Sequence, residues 1–177
     1  ACSGVPKPEN EPTGLGLAIQ WVEVEGPLTD VWPPVGHTRL FGDTPLKPFK
    51  ELPKDAVAPG AISALRHTDK LTPIPSGDPA ATARPLLRDF LARAFRRPVT
   101  DDEVAPYLAV VTRKLAEKEC FESAMRAAHT AALCSPDFLF LREEPGPLND
   151  HALAARLSYF LWRTAPDDAL RAAADKG

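Results

Sequence analysis

Trp21 and Trp32 lie on either side of Glu23 and Glu25. Aromatic rings beside carboxylates can bind sugars, and a carboxylate pair can cleave glycosidic bonds. Two further groups place titratable side chains in proline-rich chain: His37 with Arg39 and Asp43, and His67 with Arg66 and Asp69. Both read as loop segments, where ligand contacts concentrate. Each group also has a structural reading. Glutamates two apart on a strand share its solvated face, tryptophans are good core anchors, and neither histidine has a nucleophile beside it. His129 falls mid-helix among alanines, a packed or half-exposed position, and His151 falls in a helix's first turn. No two histidines have the i, i+4 spacing of a helical metal site. The sequence carries no Cys-x-x-Cys-His haem attachment motif, no glycine-rich phosphate loop and no Gly-x-Ser-x-Gly elbow. No catalytic, metal or cofactor-binding residue is assigned. The candidates for ligand contact are Trp21, Glu23, Trp32, His37, Arg39 and His67.

Charge and cysteine usage narrow the field. The 177 residues carry a net charge of −3, and 44% are hydrophobic and 25% charged, a globular composition with room for a proper core. Nucleic acid is a poor partner for such a chain, because phosphate binding needs clustered positive charge. The nearest thing to a cluster is Arg84, Arg88, Arg93, Arg96 and Arg97. Asp89, Asp101 and Asp102 dilute it, so it reads as a solvated helix face. No apolar run approaches the roughly 20 residues of a membrane span. Cys120 and Cys134 sit in one predicted helix at a separation of about 21 Å, far outside the roughly 7 Å reach of a disulfide. With Cys2 they read as free or core thiols.

These side chains hang on two unlike halves. Twelve of the twenty prolines fall in residues 1–78. There Leu17 to Glu25 reads as one β-strand stopped by Gly26-Pro27, and the chain from Pro27 to Pro75 reads as extended and wrapped on a surface. The remainder reads as helices. Leu86, Leu87, Phe90, Leu91, Ala94 and Phe95 form the apolar stripe of the first, started at Asp78-Pro79 or just before Pro85 and ended by Pro98. Thr100 and Glu103 form a capping box for the second, with Val104, Leu108, Val111 and Leu115 inward and Pro106 kinking it or delaying its start. The third runs from about Phe121 to Cys134 with Phe121, Met125, Ala128 and Ala132 inward. A short apolar segment, Asp137 to Leu141, follows. Asn149 or Asp150 caps the fourth, whose core face is expected to hold Leu153, Leu157, Phe160 and Leu161. Thr164, Pro166 and Asp167 open a fifth. The expected fold is mainly α: a bundle of about five helices preceded by a proline-rich extended segment with one strand. The expected division is 1–78 as the end of a β-rich domain, 79–145 as a helical domain, and 146–177 as the truncated start of a second.

Several of these motifs resemble, in one order, a known family. Leu17 to Leu28 with Trp32-Pro33-Pro34 resembles the linker strand of large planctomycete-type exported proteins. Phe90 to Thr100 and Leu133 to Phe140 resemble their first helical domain of unknown function. Ala154 to Trp162 with Pro166-Asp167-Asp168 is similar to the opening of the next domain. The resemblance implies a multidomain, extracytoplasmic parent, many relatives of which carry a c-type haem domain upstream; electron transfer or attack on complex carbohydrate is the usual guess for them. It transfers no catalytic residue and no haem ligand to this chain. The expected role is a non-catalytic helical structural or interaction module whose partners are neighbouring domains of the same parent. The alternative is a carbohydrate-binding or carbohydrate-processing site around Trp21, Glu23 and Trp32. A weaker third reading is a redox-partner docking surface near Phe138 and Phe140.

Overall fold

The structure, a computed structural model, describes residues 21, 23, 28, 30–53, 55–56, 71–141, 143 and 146–177. The chain divides into two compact units, Ala1–Trp32 and Pro33–Gly177. The expected strand over Leu17 to Glu25 lies outside the described residues except at Trp21 and Glu23, which belong to no regular element.

The second unit is helical, as expected, with seven α-helices among the described residues. Three of them make the core. Helix α2 (Pro79–Ala94) starts where Asp78 accepts hydrogen bonds from the amides of Ala80 and Ala81, at 3.0 and 3.3 Å, with Pro79 at its first position. Helix α3 (Asp101–Ala116) carries the full capping box: the Glu103 amide donates to Thr100 Oγ1, and the Thr100 amide donates to Glu103 Oε2 at 2.8 Å. It runs from Asp101 through Pro106, so the proline does not delay the start. Helix α4 (Phe121–Leu133) presents Ala124, Met125, Ala128 and Ala132 inward, all wholly buried. Such small side chains let α3 and α4 approach closely, and these two helices share the most extensive packing. Leu87, Leu91, Val104, Val111 and Met125 fill the space between the three. Cys120 and Cys134 stand at opposite ends of α4 as free thiols, the first buried and the second exposed.

The proline-rich half is less extended than its composition suggests. Val35–Phe41 forms a helix, α1. Pro34 precedes it and lends a fixed φ to the entry. Gly42 ends it in the left-handed region at φ 57°, where its amide bonds the carbonyl of Thr38. A β-carbon at Gly42 would lie 2.9 Å from Leu86 Cδ2, so both conformation and space ask for glycine. Phe41 is the buried residue of α1 and plugs it onto the core. Two short strands, β1 (Leu46–Pro48) and β2 (Leu71–Pro73), then pair antiparallel in the register Leu46 to Pro73 and Pro48 to Leu71. Buried Thr72 donates to Glu122 Oε2 at 3.2 Å and ties this ribbon to α4.

The C-terminal elements depart from expectation in two respects. After the four-residue α5 (Pro136–Leu139), Asn149 caps α6 (Asp150–Trp162) as foreseen. Yet Leu153, Leu157, Phe160 and Leu161 are exposed, and the buried face of α6 is Ala154, Ala155 and Ser158. The helix is apolar around most of its circumference, so the stripe of large residues did not say which side would be covered. Asp167, rather than Thr164, caps the final helix α7 (Asp168–Ala174) by accepting from the Leu170 amide.

Candidate functional site

The polar side chains that the fold brings together are arginines at the C-terminal end of α2. The helix stops at Ala94, four residues before Pro98, because the chain turns at Arg96 in the left-handed region with φ 62°. That conformation is costly for a residue with a β-carbon, and here it aims a long side chain inward. Arg96 is 7% exposed. Its guanidinium donates to the carbonyls of Asp137, Phe138 and Phe140 at 3.0 to 3.2 Å, and it lies 5.9 Å from the ring of Tyr159. One buried cation thus satisfies the carbonyls of the α5 turn and reaches α6. Its neighbours act likewise. Arg97 donates to Glu103 at 2.7 Å and sits 3.6 Å from Asp137. Arg93 bonds Asp89 on its own helix and Asp168 of α7 at 2.6 Å. The expectation of a solvated arginine face therefore needs correcting: Arg84 and Arg88 are exposed, but Arg93, Arg96 and Arg97 stitch α2 to α3, α5, α6 and α7.

Between these elements lies a cleft lined by Phe95, Arg96, Arg97, Asp137, Glu143 and Ala155. Its ionic groups are engaged with one another. The hydrogen bond from Arg97, reinforced by the capping amide of Thr100, holds the Glu103 carboxyl at about 2. Glu143 is bonded by Arg156, which pulls its carboxyl below the usual range. Both carboxylates are held in the ionised form by their arginine partners. Among the described residues no group of three or more His, Cys, Asp or Glu side chains is placed to hold a metal ion.

Five of the six ligand-contact candidates are among the described residues. Trp21 and Trp32 are 69% and 57% exposed, and Glu23 is exposed. Among the described residues, no hydrogen bond, ion pair or ring contact links the three. His37 and Arg39 lie on helix α1, not on the expected loop. Arg39 is exposed, while His37 packs its ring 4.9 Å from Phe41 with Nε2 buried and unbonded. His67 lies outside the described residues. His129 occupies the packed position expected of it, its ring 4.3 Å from Phe90 and 6.5 Å from Phe41; burial pushes it down to about 4. Of the junction, sequence reasoning missed Arg96. The visible signal was a helical stripe whose last apolar residue is Phe95, followed by Arg96-Arg97-Pro98, with an arginine where a left-handed helix stop usually has glycine.

Fold and junction together define a class: an α-helical module built for packing, in which a three-helix bundle is fastened by buried and paired arginines to a second helical segment. Residues 82–143 match the family described as PSD5, a protein of unknown function (DUF1595), and residues 148–177 match the family described as PSD4, a protein of unknown function (DUF1592). The two matched segments lie in tandem along the chain. No curated protein and no solved structure matches the chain. The arginines of α2 therefore join the two matched segments. Among the described residues no helix is long and apolar enough to cross a membrane.

Proposed function

We propose that the chain is a non-catalytic helical packing module of a larger protein, and that the outer face of α6 receives a helix from a neighbouring domain of the same parent. The observation that carries this is the exposure of Leu153, Leu157, Phe160 and Leu161, at 54%, 43%, 84% and 53%. They recur at i, i+4, i+7 and i+8, one continuous helical stripe about 100° wide. The opposite face, Ala154, Ala155 and Ser158, is already covered. A helix that is apolar on both sides is a buried helix of a larger assembly, and a stripe of this spacing fits another helix. The test is thiol labelling of a Leu157→Cys variant, in the isolated chain and in the full-length parent. Fast labelling in the first and protection in the second is the expected result. Equal labelling in both would sink the reading.

The resemblance to exported, cytochrome-associated proteins supports an extracytoplasmic parent with a c-type haem in another domain. The absorption spectrum and haem stain of the parent purified from its envelope test that placement. A carbohydrate site around Trp21, Glu23 and Trp32 is the competing reading. It predicts that polysaccharide quenches tryptophan fluorescence of the chain and that Trp32→Ala abolishes the response.

A further inference from the structure

Beside the junction lies a cavity of about 290 Å³ with an unusual wall. Arg88 enters it from α2, Arg97 from the turn after α2, Arg171 from α7 and His151 from α6, and the carboxylate at its rim is Asp175. Arg171 is the informative member. Its side chain is only 22% exposed, and the one carboxylate within 4 Å among the described residues, Asp168, lies 3.6 Å away, beyond hydrogen-bond reach. Among the described residues its guanidinium makes no hydrogen bond at all. A guanidinium presents five N–H donors, and those of Arg171 stay open to solvent or to an added acceptor. Arg88 bonds Asp101, and Arg97 bonds Glu103 and the carbonyl of Pro98, so each uses only part of its fork. Asp101, Glu103 and Asp168 hold the arginines from outside the cavity wall. Asp175 is engaged by His151, whose Nε2 lies 3.4 Å from it.

We infer that this cavity binds a small tetrahedral oxyanion, phosphate or sulfate, which bridges Arg88 of α2 and Arg97 of the turn after it to Arg171 of α7. Guanidinium forks match such an anion's oxygens two at a time, and three of them line the site. The volume lies just below the usual range of ligand pockets, about 300–1,000 Å³, and has room for a single anion or one phosphorylated or sulfated group. Binding would fasten α7, which otherwise holds to α2 through the ion pair of Arg93 and Asp168.

The test is calorimetric titration of the whole chain with inorganic phosphate and with sulfate, against sodium chloride and sodium acetate at matched ionic strength. One saturable site for the tetrahedral anions is expected. Arg171→Gln should weaken it on the order of tenfold or more, and Arg88→Gln several-fold, each with an unchanged circular dichroism spectrum. Asp175→Asn should tighten it several-fold by removing the carboxylate that lines the cavity, a gain that misfolding cannot imitate. Phosphate and sulfate behaving like chloride would overturn the proposal, as would acetate binding equally well, or undiminished binding to the Arg171 and Arg88 variants.

Discussion

Leu87 and Leu91 of α2 are wholly buried against α3 and α4, whereas Leu153 and Leu157 of α6 stand in solvent while the alanines beside them are covered. The same residue type at the same helical spacing is core in one element and surface in the other. The difference lies in the partners each helix has. Helices α2, α3 and α4 enclose one another, so each large side chain finds neighbours on every side. Helix α6 packs on α7 and lines the cleft beside Phe95 and Arg96 through Ala155, and its large residues stay exposed. Exposed singly such residues are ordinary; exposed as a continuous stripe they mark an interface.

The comparison breaks first, if it breaks, on truncation of a leucine in the bundle. Leu91→Ala removes a fully buried side chain and should cost about 2–5 kcal/mol in urea unfolding. Leu153→Ala should cost under about 0.5 kcal/mol. Equal losses at the two sites would mean that the α6 face is covered in solution.

Acid should act on the bundle before it acts on α6 and α7. His129 is buried among Phe41 and Phe90 and is held neutral, down from 6.5 to about 4, by burial alone. The unfolded chain protonates first as pH falls, so the stability this residue confers is complete above about 6.5 and is lost as pH falls through 4. The full span amounts to about 3 kcal/mol. Glu103 adds to this only below its ordinary value of 4.5, since it is held at about 2. Between pH 6.5 and 4.5 the slope thus belongs to the histidine, and His129→Leu should flatten it. Unfolding free energies measured across that window check this, and an unchanged slope in the variant would place His129 in water.

Arg96 tests what joins the two regions. Arg96→Ala removes the donors to three carbonyls and keeps the strained backbone, for an expected loss of about 2 kcal/mol. Arg96→Gly removes the same bonds but relieves the left-handed conformation, so it should be about 1 kcal/mol less damaging. In both variants hydrogen exchange should accelerate in α6 and α7 more than in α3. A uniform acceleration would show that Arg96 supports the whole unit and is no fastener of the second segment.

Local signals in the sequence were dependable where the chain answers them locally. The capping box of Thr100 and Glu103, the Asp78 cap with Pro79, the Asn149 cap and the inward faces of α2, α3 and α4 all follow from side chains within a turn or two of each other. The helix α1 was hidden because proline density suggested extended chain, yet Pro34 and Gly42 lie just outside its ends and leave seven residues free to coil. The junction was hidden for a different reason. The partners of Arg96 are backbone carbonyls, which no residue type advertises, and Arg171 meets Arg88 and Arg97 only through the packing of α7 on α2. Arg88 and Arg97 were visible as part of an arginine cluster, but counting the aspartates between them could not tell which charges would share a cavity. The orientation of α6 was not decidable from its pattern either, since both of its faces are apolar.

The smallest expected effect bears most directly on function. Phe160 is 84% exposed, the most open of the large residues on α6. Phe160→Ser in the isolated chain removes no buried contact, so unfolding free energy should stay within about 0.5 kcal/mol of the parent sequence. Self-association at high concentration should fall, because the stripe loses its largest apolar surface. In the full-length protein the same change should behave as a core substitution, costing about 3–5 kcal/mol if a neighbouring helix covers the ring. Sedimentation of the isolated chain and thermal unfolding of the full-length protein read the two halves of this prediction separately. A silent substitution in both settings would leave α6 with a bare apolar face and remove the ground for treating it as a packing surface.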